Sequence, residues 1–323
     1  DPSQRRAVTT EAQPLAILAG AGSGKTRVLT RRIAHRCTIG TADARHVLAL
    51  TFTRKAAAEL DGRLSAFGLR DLPAAGTFHA VAYAQLRTRW AGTGTTPPTL
   101  LDRKGRILGR ILGGTTRFAP RDLATEIEWA TSRLVSPDRY ALAAAQADRR
   151  LPVDPERIAE WYRRYEDEKR RRGLVDFDDL LGRCADAIET DPSFAAAQRW
   201  RFRHLFVDEY QDVNPLQQRL LDLWLGDRDD LCVVGDASQT IYTFTGATSS
   251  YLLGFRARHP HATEVRLVRS YRSTPQVVAL ANRVLSSATG PEAALRLELV
   301  AQRGDGPDPV PTAYDDDLAE AAG

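Results

Sequence analysis

The sequence predicts an α/β fold: a parallel sheet with helices on both faces and an all-helical inserted subdomain. Three observations predict it. Short apolar runs alternate with longer segments of helical spacing. Those runs are apolar almost throughout, as strands covered on both faces are. Between about residues 89 and 175 they vanish and helical spacing takes over. The chain has 323 residues, 43% hydrophobic and 27% charged, enough for two domains or one large domain with an insertion.

The predicted strands are 15–19 (LAILA), 46–51 (HVLALT), 204–207 (HLFV), 231–234 (LCVV) and 264–268 (EVRLV). Polar or small residues follow each run, so ligand-handling groups should collect at the carboxyl edge of the sheet. Within the helical stretch, Ile158, Trp161, Tyr162 and Tyr165 recur at i, i+3, i+4 and i+7, a stripe read as helix packing. The run 169–172 (KRRR) before Gly173 has two readings. It is either a patch for nucleic acid or a set of cations in a last helical turn before a glycine cap. Residues 302–323, rich in Pro, Gly and Asp, read as a mobile linker or a truncated continuation.

The net charge is +4, unevenly spread. Residues 304–323 hold six acids and no Lys or Arg, so the rest carries 45 basic against 35 acidic residues. Such a body suits an anionic partner or a solvated basic surface. Cys37, Cys184 and Cys232 lie far apart without a CxxC pair, which fits a reducing cytoplasm and disfavours zinc. No apolar run reaches the length of a membrane span and no signal peptide is visible, so a cytoplasmic location is expected. The chain begins at Asp1 and has no Met, as an excised or processed piece would.

After the first strand comes 19–26 (AGAGSGKT), then a helical run from Arg27. This is a phosphate-binding loop with Ala19 in its first position. Gly20, Ala21, Gly22, Ser23 and Gly24 bring backbone N–H groups and a helix N-terminus to the phosphates, and Lys25 reaches the β- and γ-phosphates. Thr26 offers a hydroxyl to Mg²⁺. The strand in 205–212 (LFVDEYQD) ends in two acids. Asp208 can join the Mg²⁺ shell, and Glu209 can polarise the attacking water as general base. Together these pieces predict Mg-dependent hydrolysis of a nucleoside triphosphate.

At this point the chain resembles the UvrD/Rep/PcrA-type superfamily 1 DNA helicases. Eight segments run in the family's order: DPSQRRAV, AGAGSGKTR, LTFTRKAAAEL (50–60), GTFHA (76–80), VDFDDLL (175–181), VDEYQD, VVGDASQTIYTFTGA and SYRST (270–274). The resemblance implies a first RecA-like domain over 1–88 and 176–266, a helical insertion over 89–175, and the incomplete start of a second RecA-like domain over 267–323. It implies that Gln4 recognises adenine, that Tyr271 and Arg27 sandwich the base, and that Arg272 contacts the γ-phosphate, so that ATP is the nucleotide. An aromatic–guanidinium sandwich and a forked phosphate contact are physically reasonable.

The same resemblance makes Gln239 a γ-phosphate sensor and seats Tyr242 and Phe244 under single-stranded DNA. Phe52, Thr53, Thr77, His79 and Phe177 would add DNA contacts, though Phe177, beside Leu180 and Leu181, also reads as a core residue. Base–aromatic stacking ignores sequence, which suits a motor on any strand. RNA stays open, since stacking tolerates either sugar. Two features depart from the family. Thr243, Phe244 and Thr245 stand where it usually has Arg-Trp-Arg, and no further motif follows SYRST (270–274). The implied partners are single-stranded DNA, its junctions with duplex, and a missing C-terminal half. The expected activity is 3′ to 5′ translocation in replication or repair. The open alternatives are a truncated ATP- and DNA-binding module with little turnover and a motor subunit of a helicase–nuclease complex.

Overall fold

The structure, a computed structural model, describes residues 1–114 and 118–322. Its strands, in chain order, are β1 (Leu15–Ala19), β2 (Val47–Thr51), β3 (Ala74–Thr77), β4 (Thr99–Leu100), β5 (Leu174–Val175), β6 (His204–Val207), β7 (Leu231–Gly235), β8 (Thr263–Leu267), β9 (Arg269–Ser270) and β10 (Val300–Ala301). Six of them form one all-parallel sheet in the order β3-β2-β6-β7-β1-β8.

Every position of β1, β2 and β7 is buried, which explains their unbroken apolar runs. Alternate residues feed two cores. Leu15 and Ile17 meet Val28, Leu29 and Ile33 of the helix Lys25–Thr38 and Leu60 of the helix Arg54–Ser65. Ala16 and Leu18 face the other core, built from Phe78, Leu86, Leu180, Leu220 and Trp224 on the helices Phe78–Thr93, Phe177–Thr190 and Pro215–Leu225. The five predicted strands all form, with ends within a residue of expectation. The edge strand β3 was not predicted. Its Ala-Ala-Gly-Thr sequence has little strand propensity, and the ladder to β2 holds it.

A third core lies apart from the sheet, where Leu108, Leu123, Ile127, Tyr140, Ile158, Trp161 and Tyr165 pack together. The predicted stripe Ile158, Trp161, Tyr162 and Tyr165 is therefore packing. The short parallel pair β4 and β5, also not predicted, clasps the entry and exit of this helical region. The basic run 169–172 ends the helix Pro155–Arg172, and Gly173 caps it at φ 62°. Lys169 is buried, while Arg170, Arg171 and Arg172 pair with Asp167 and Glu168 of the same helix. The run is thus a helix end with neutralised charge.

Only Val268 separates β8, in the large sheet, from β9, which pairs with β10. The helix Pro275–Ser286 between them leaves Val277, Leu280 and Val284 exposed. The acidic end carries a helix, Asp317–Ala322, where no element was predicted. All three cysteines are free. No helix among the described residues is long and apolar enough to cross a membrane.

Candidate nucleotide site and nucleic-acid groove

Because the sheet is parallel, the loops leaving β1, β2, β3, β6 and β7 emerge along one edge. β1 and β7 are neighbours, and β7 also pairs with β6. The loop after β1 turns through Gly22 (φ 74°) and Gly24 (φ 86°), and Gly24 caps the helix Lys25–Thr38 without a side-chain bond, leaving its first N–H groups free. Ser23 Oγ braces the loop by donating to the Gly20 carbonyl at 2.7 Å. A Cβ on Gly20 would fall 2.2 Å from Leu299, and one on Gly22 would fall 2.7 Å from Ser270 Oγ and from Arg272 Cβ. The segment after β8 therefore lies directly over the phosphate loop.

Lys25 Nζ donates to Gln239 Oε1 at 2.9 Å and lies 3.2 Å from Glu209 Oε2. These two oxygens occupy the ammonium in the way phosphate oxygens would. Thr26 Oγ1 donates to Asp208 Oδ2 at 2.8 Å. Burial, then the charge of Glu209, pushes the Asp208 carboxyl up to about 6. Such a carboxylate beside a hydroxyl is an oxygen donor set short of positive charge, which fits Mg²⁺ sharing its shell with phosphates and water. Among the described residues no group of three or more His, Cys, Asp or Glu forms a protein-only metal site. Glu209 sits at φ 51°, a left-handed strain at a functional position.

Gln4, in the capping box opened by Asp1, donates through Nε2 to the Ser23 carbonyl at 2.8 Å. With Asp1, Arg27 and Arg31 it lines an open cleft of about 740 Å³ beside the phosphate loop. Tyr271 is not part of that lining. Its hydroxyl donates to Asp1 Oδ2 at 2.8 Å and its backbone N–H to the Gly22 carbonyl at 2.9 Å. Arg272 is exposed beside it.

From Gln239 the chain runs into an open turn. Tyr242 is 43% and Phe244 56% exposed, with ring centroids 6.2 Å apart. Phe52, Thr77, His79 and Phe177 line a neighbouring groove of about 560 Å³, together with Arg54, Tyr83 and Arg87. Phe177 is 38% exposed and meets His79 edge-on at 6.4 Å, whereas Leu180 and Leu181 are buried. Its core reading is thereby excluded. Thr53 and Thr77 cap the helices Arg54–Ser65 and Phe78–Thr93 through their hydroxyls. Thr77 is buried, so it offers the groove little.

Sequence reasoning missed several supports. Gln211 donates to Glu209 Oε2 at 2.9 Å and accepts from Asp236 N at 3.0 Å, while Asp236 Oδ2 accepts from Gln239 at 2.6 Å. It also missed the groove residues Tyr83 and Arg87, which follow His79 at i+4 and i+8 on one helix face. That spacing was a usable signal.

The family profile described as UvrD/REP helicase N-terminal domain matches residues 1–260. The ATP-dependent DNA helicase UvrD2 of Mycobacterium tuberculosis is 49% identical over the whole chain, which covers 48% of that protein. The ATP-dependent DNA helicase PcrA of Leuconostoc citreum is 37% identical over 88% of the chain and 38% of its own length. The chain spans about half the length, or less, of the curated relatives it matches.

Proposed function

The chain belongs to the UvrD/REP helicase family, and from that membership we propose that the intact protein is an ATP-driven motor on single-stranded DNA. It moves 3′ to 5′ and separates duplex strands in replication or repair. Residues 1–88 with 176–266 form its first RecA-like domain, residues 89–175 a helical insertion, and residues 267–323 the start of a second RecA-like domain.

In this reading the backbone of residues 20–24 and Lys25 hold the β- and γ-phosphates. Thr26 and Asp208 hold Mg²⁺, which when bound neutralises charge building on the phosphoryl oxygens. Glu209, kept near Lys25 by Gln211, takes the proton of the attacking water. Arg272, brought over the loop by the contact at Gly22, meets the γ-phosphate. Gln4 and Arg27 receive the adenine in the cleft beside the loop, with Tyr271 closing on it.

The observation that carries the reading is the bond between Lys25 and Gln239, three and five residues before two exposed aromatic rings. A γ-phosphate competes for the same ammonium, so nucleotide state reaches the turn that holds Tyr242 and Phe244. Phe52, His79 and Phe177 extend the stacking surface.

The test is the ATPase of the full-length protein, titrated with oligo-dT. Wild type should be stimulated, and replacing Tyr242 and Phe244 by Ala should raise the half-saturating DNA concentration roughly tenfold or more. A wild-type rate indifferent to DNA overturns the reading, as does a double variant indistinguishable from wild type. Strand displacement on duplexes with a 3′ or a 5′ tail tests the direction.

A further inference from the structure

A cluster of buried charges lies where the helical region meets the sheet, and it encloses the backbone of Phe177. Asp176 caps the helix Phe177–Thr190: its Oδ1 accepts from Asp179 N at 3.0 Å, and Asp179 Oδ2 accepts from Asp176 N at 2.8 Å. Two lysines from the helical region grip the acids on either side of the ring. Lys104, at the start of the helix Gly105–Leu112, lies 3.1 Å from Asp178 Oδ2 and from Glu128 Oε1, and 3.5 Å from Asp176 Oδ2. Lys169, at the end of the helix Pro155–Arg172, lies 3.2 Å from Asp176 Oδ2, 2.8 Å from Asp179 Oδ2 and 2.9 Å from Glu166 Oε1. Tyr165 donates to Asp176 Oδ2 at 2.9 Å. On the sheet side, His79 Nε2 stands 3.9 Å from Asp178 Oδ1.

Burial opposes charge on both lysines, yet the surrounding carboxylates outweigh it and hold each above the ordinary lysine value. Asp178 is brought down to about 2 despite burial, by His79 and Lys104. Both lysines and Asp178 are therefore held in their charged forms. Buried ion pairs of this kind contribute little net stability and are better understood as fixing geometry. The geometry fixed here is that of Phe177, a large ring left open to the groove between two anchored aspartates. A ring held ready for a base loses less freedom when the base arrives.

We propose that Lys104 and Lys169 are positioning residues, which set Phe177 in the groove and tie the grip on unpaired bases to the seating of the helical region. This rests on Phe177 being a base contact. Both ammonium groups are taken up by carboxylates, with Lys104 13% and Lys169 5% exposed, so the lysines act through Asp176, Asp178 and the helix start.

The test uses the full-length protein, with variants Lys104→Met, Lys104→Arg, Phe177→Ala and the double Lys104→Met/Phe177→Ala. The readouts are the oligo-dT concentration for half-maximal ATPase and its salt slope. Lys104→Met should raise that concentration roughly tenfold, with DNA-free turnover retained and salt slope unchanged; Lys104→Arg should recover most of the loss. The double variant should be no worse than Phe177→Ala alone, because residues acting through one another are not additive.

Additive losses overturn the proposal, as does a salt slope smaller by about one, the mark of a direct phosphate contact. If Phe177→Ala impairs DNA response and Lys104→Met does not, the positioning role alone fails. If Phe177→Ala has no effect while the Tyr242 and Phe244 changes do, the reading of Phe177 has failed. Should Lys104→Met not fold, Asp178→Asn breaks the same link and is judged by the same criteria.

Discussion

Lys25 and Gln239 stand 214 positions apart, yet Nζ of the first donates to Oε1 of the second at 2.9 Å. The sheet order brings them together, because β7 lies beside β1 and the loops leaving both strands meet at one edge. Gln239 also donates to Asp236, which turns its amide oxygen toward the ammonium. Replacing Gln239 by Ala should collapse the ratio of DNA-stimulated to unstimulated ATPase by about tenfold, within the 1–3 kcal/mol range of coupling between two sites. A variant that keeps the full ratio would show that coupling runs elsewhere.

Gly22→Ala should weaken nucleotide binding and lower stability. Its backbone at φ 74° costs a non-glycine residue about 1–2 kcal/mol. The new methyl would also push Ser270 and Arg272 off the loop. Gly40, at φ 78° with nothing within 4 Å, is the control and should show the backbone cost alone. Urea unfolding and titration with a fluorescent ATP analogue separate the two effects.

Arg32→Met should reduce the preference for ATP over GTP. The buried Arg32 guanidinium donates to the carbonyls of Ala7, Thr10 and Ala12 at 3.0, 2.7 and 3.2 Å, locking the end of the helix that presents Gln4. Losing these charged hydrogen bonds costs about 2–3 kcal/mol of stability. The decisive readout is the ATP-to-GTP ratio of kcat/KM, which a purely structural defect leaves unchanged.

Asp230 predicts a pH dependence at the opposite edge of the sheet. Burial opposes its charge, but Arg36, bonded through both guanidinium nitrogens, and His204 bring the carboxyl down to about 2. The folded value lies below the unfolded one, so its stabilisation is present above about pH 4 and fades as pH falls toward 2. The window is worth about 2 kcal/mol. Unfolding free energies of wild type and Asp230→Asn, compared between pH 5 and 2, should converge by about that amount. Parallel curves would refute the assignment.

The phosphate loop and the acid pair were legible because their chemistry is local: a strand, a few glycines, and charges at the strand end. β3 was not legible, since Ala-Ala-Gly-Thr becomes a strand only when β2 supplies the ladder. Arg32 carries no motif signal, and Lys169 stands in a run that reads as a nucleic-acid patch or a capped helix end, because sequence cannot show which helix face finds carbonyls or carboxylates in the interior. For Lys169 a signal existed: it extends the stripe Ile158, Tyr162, Tyr165 by one turn. Gln211 and Asp236 were hidden by being partners of partners.

The single residue between β8 and β9 gives the protein a short lever. Any swing of the β9–β10 pair against the large sheet must be absorbed by torsions at or beside Val268. From that fulcrum to Arg272 the arm is at most about 13 Å of extended chain. A swing of roughly 15°, the size of the subunit rotation in haemoglobin, would carry the Arg272 backbone about 3 Å. That travel matches the length of one hydrogen bond, the scale on which an arginine makes or leaves a phosphate contact.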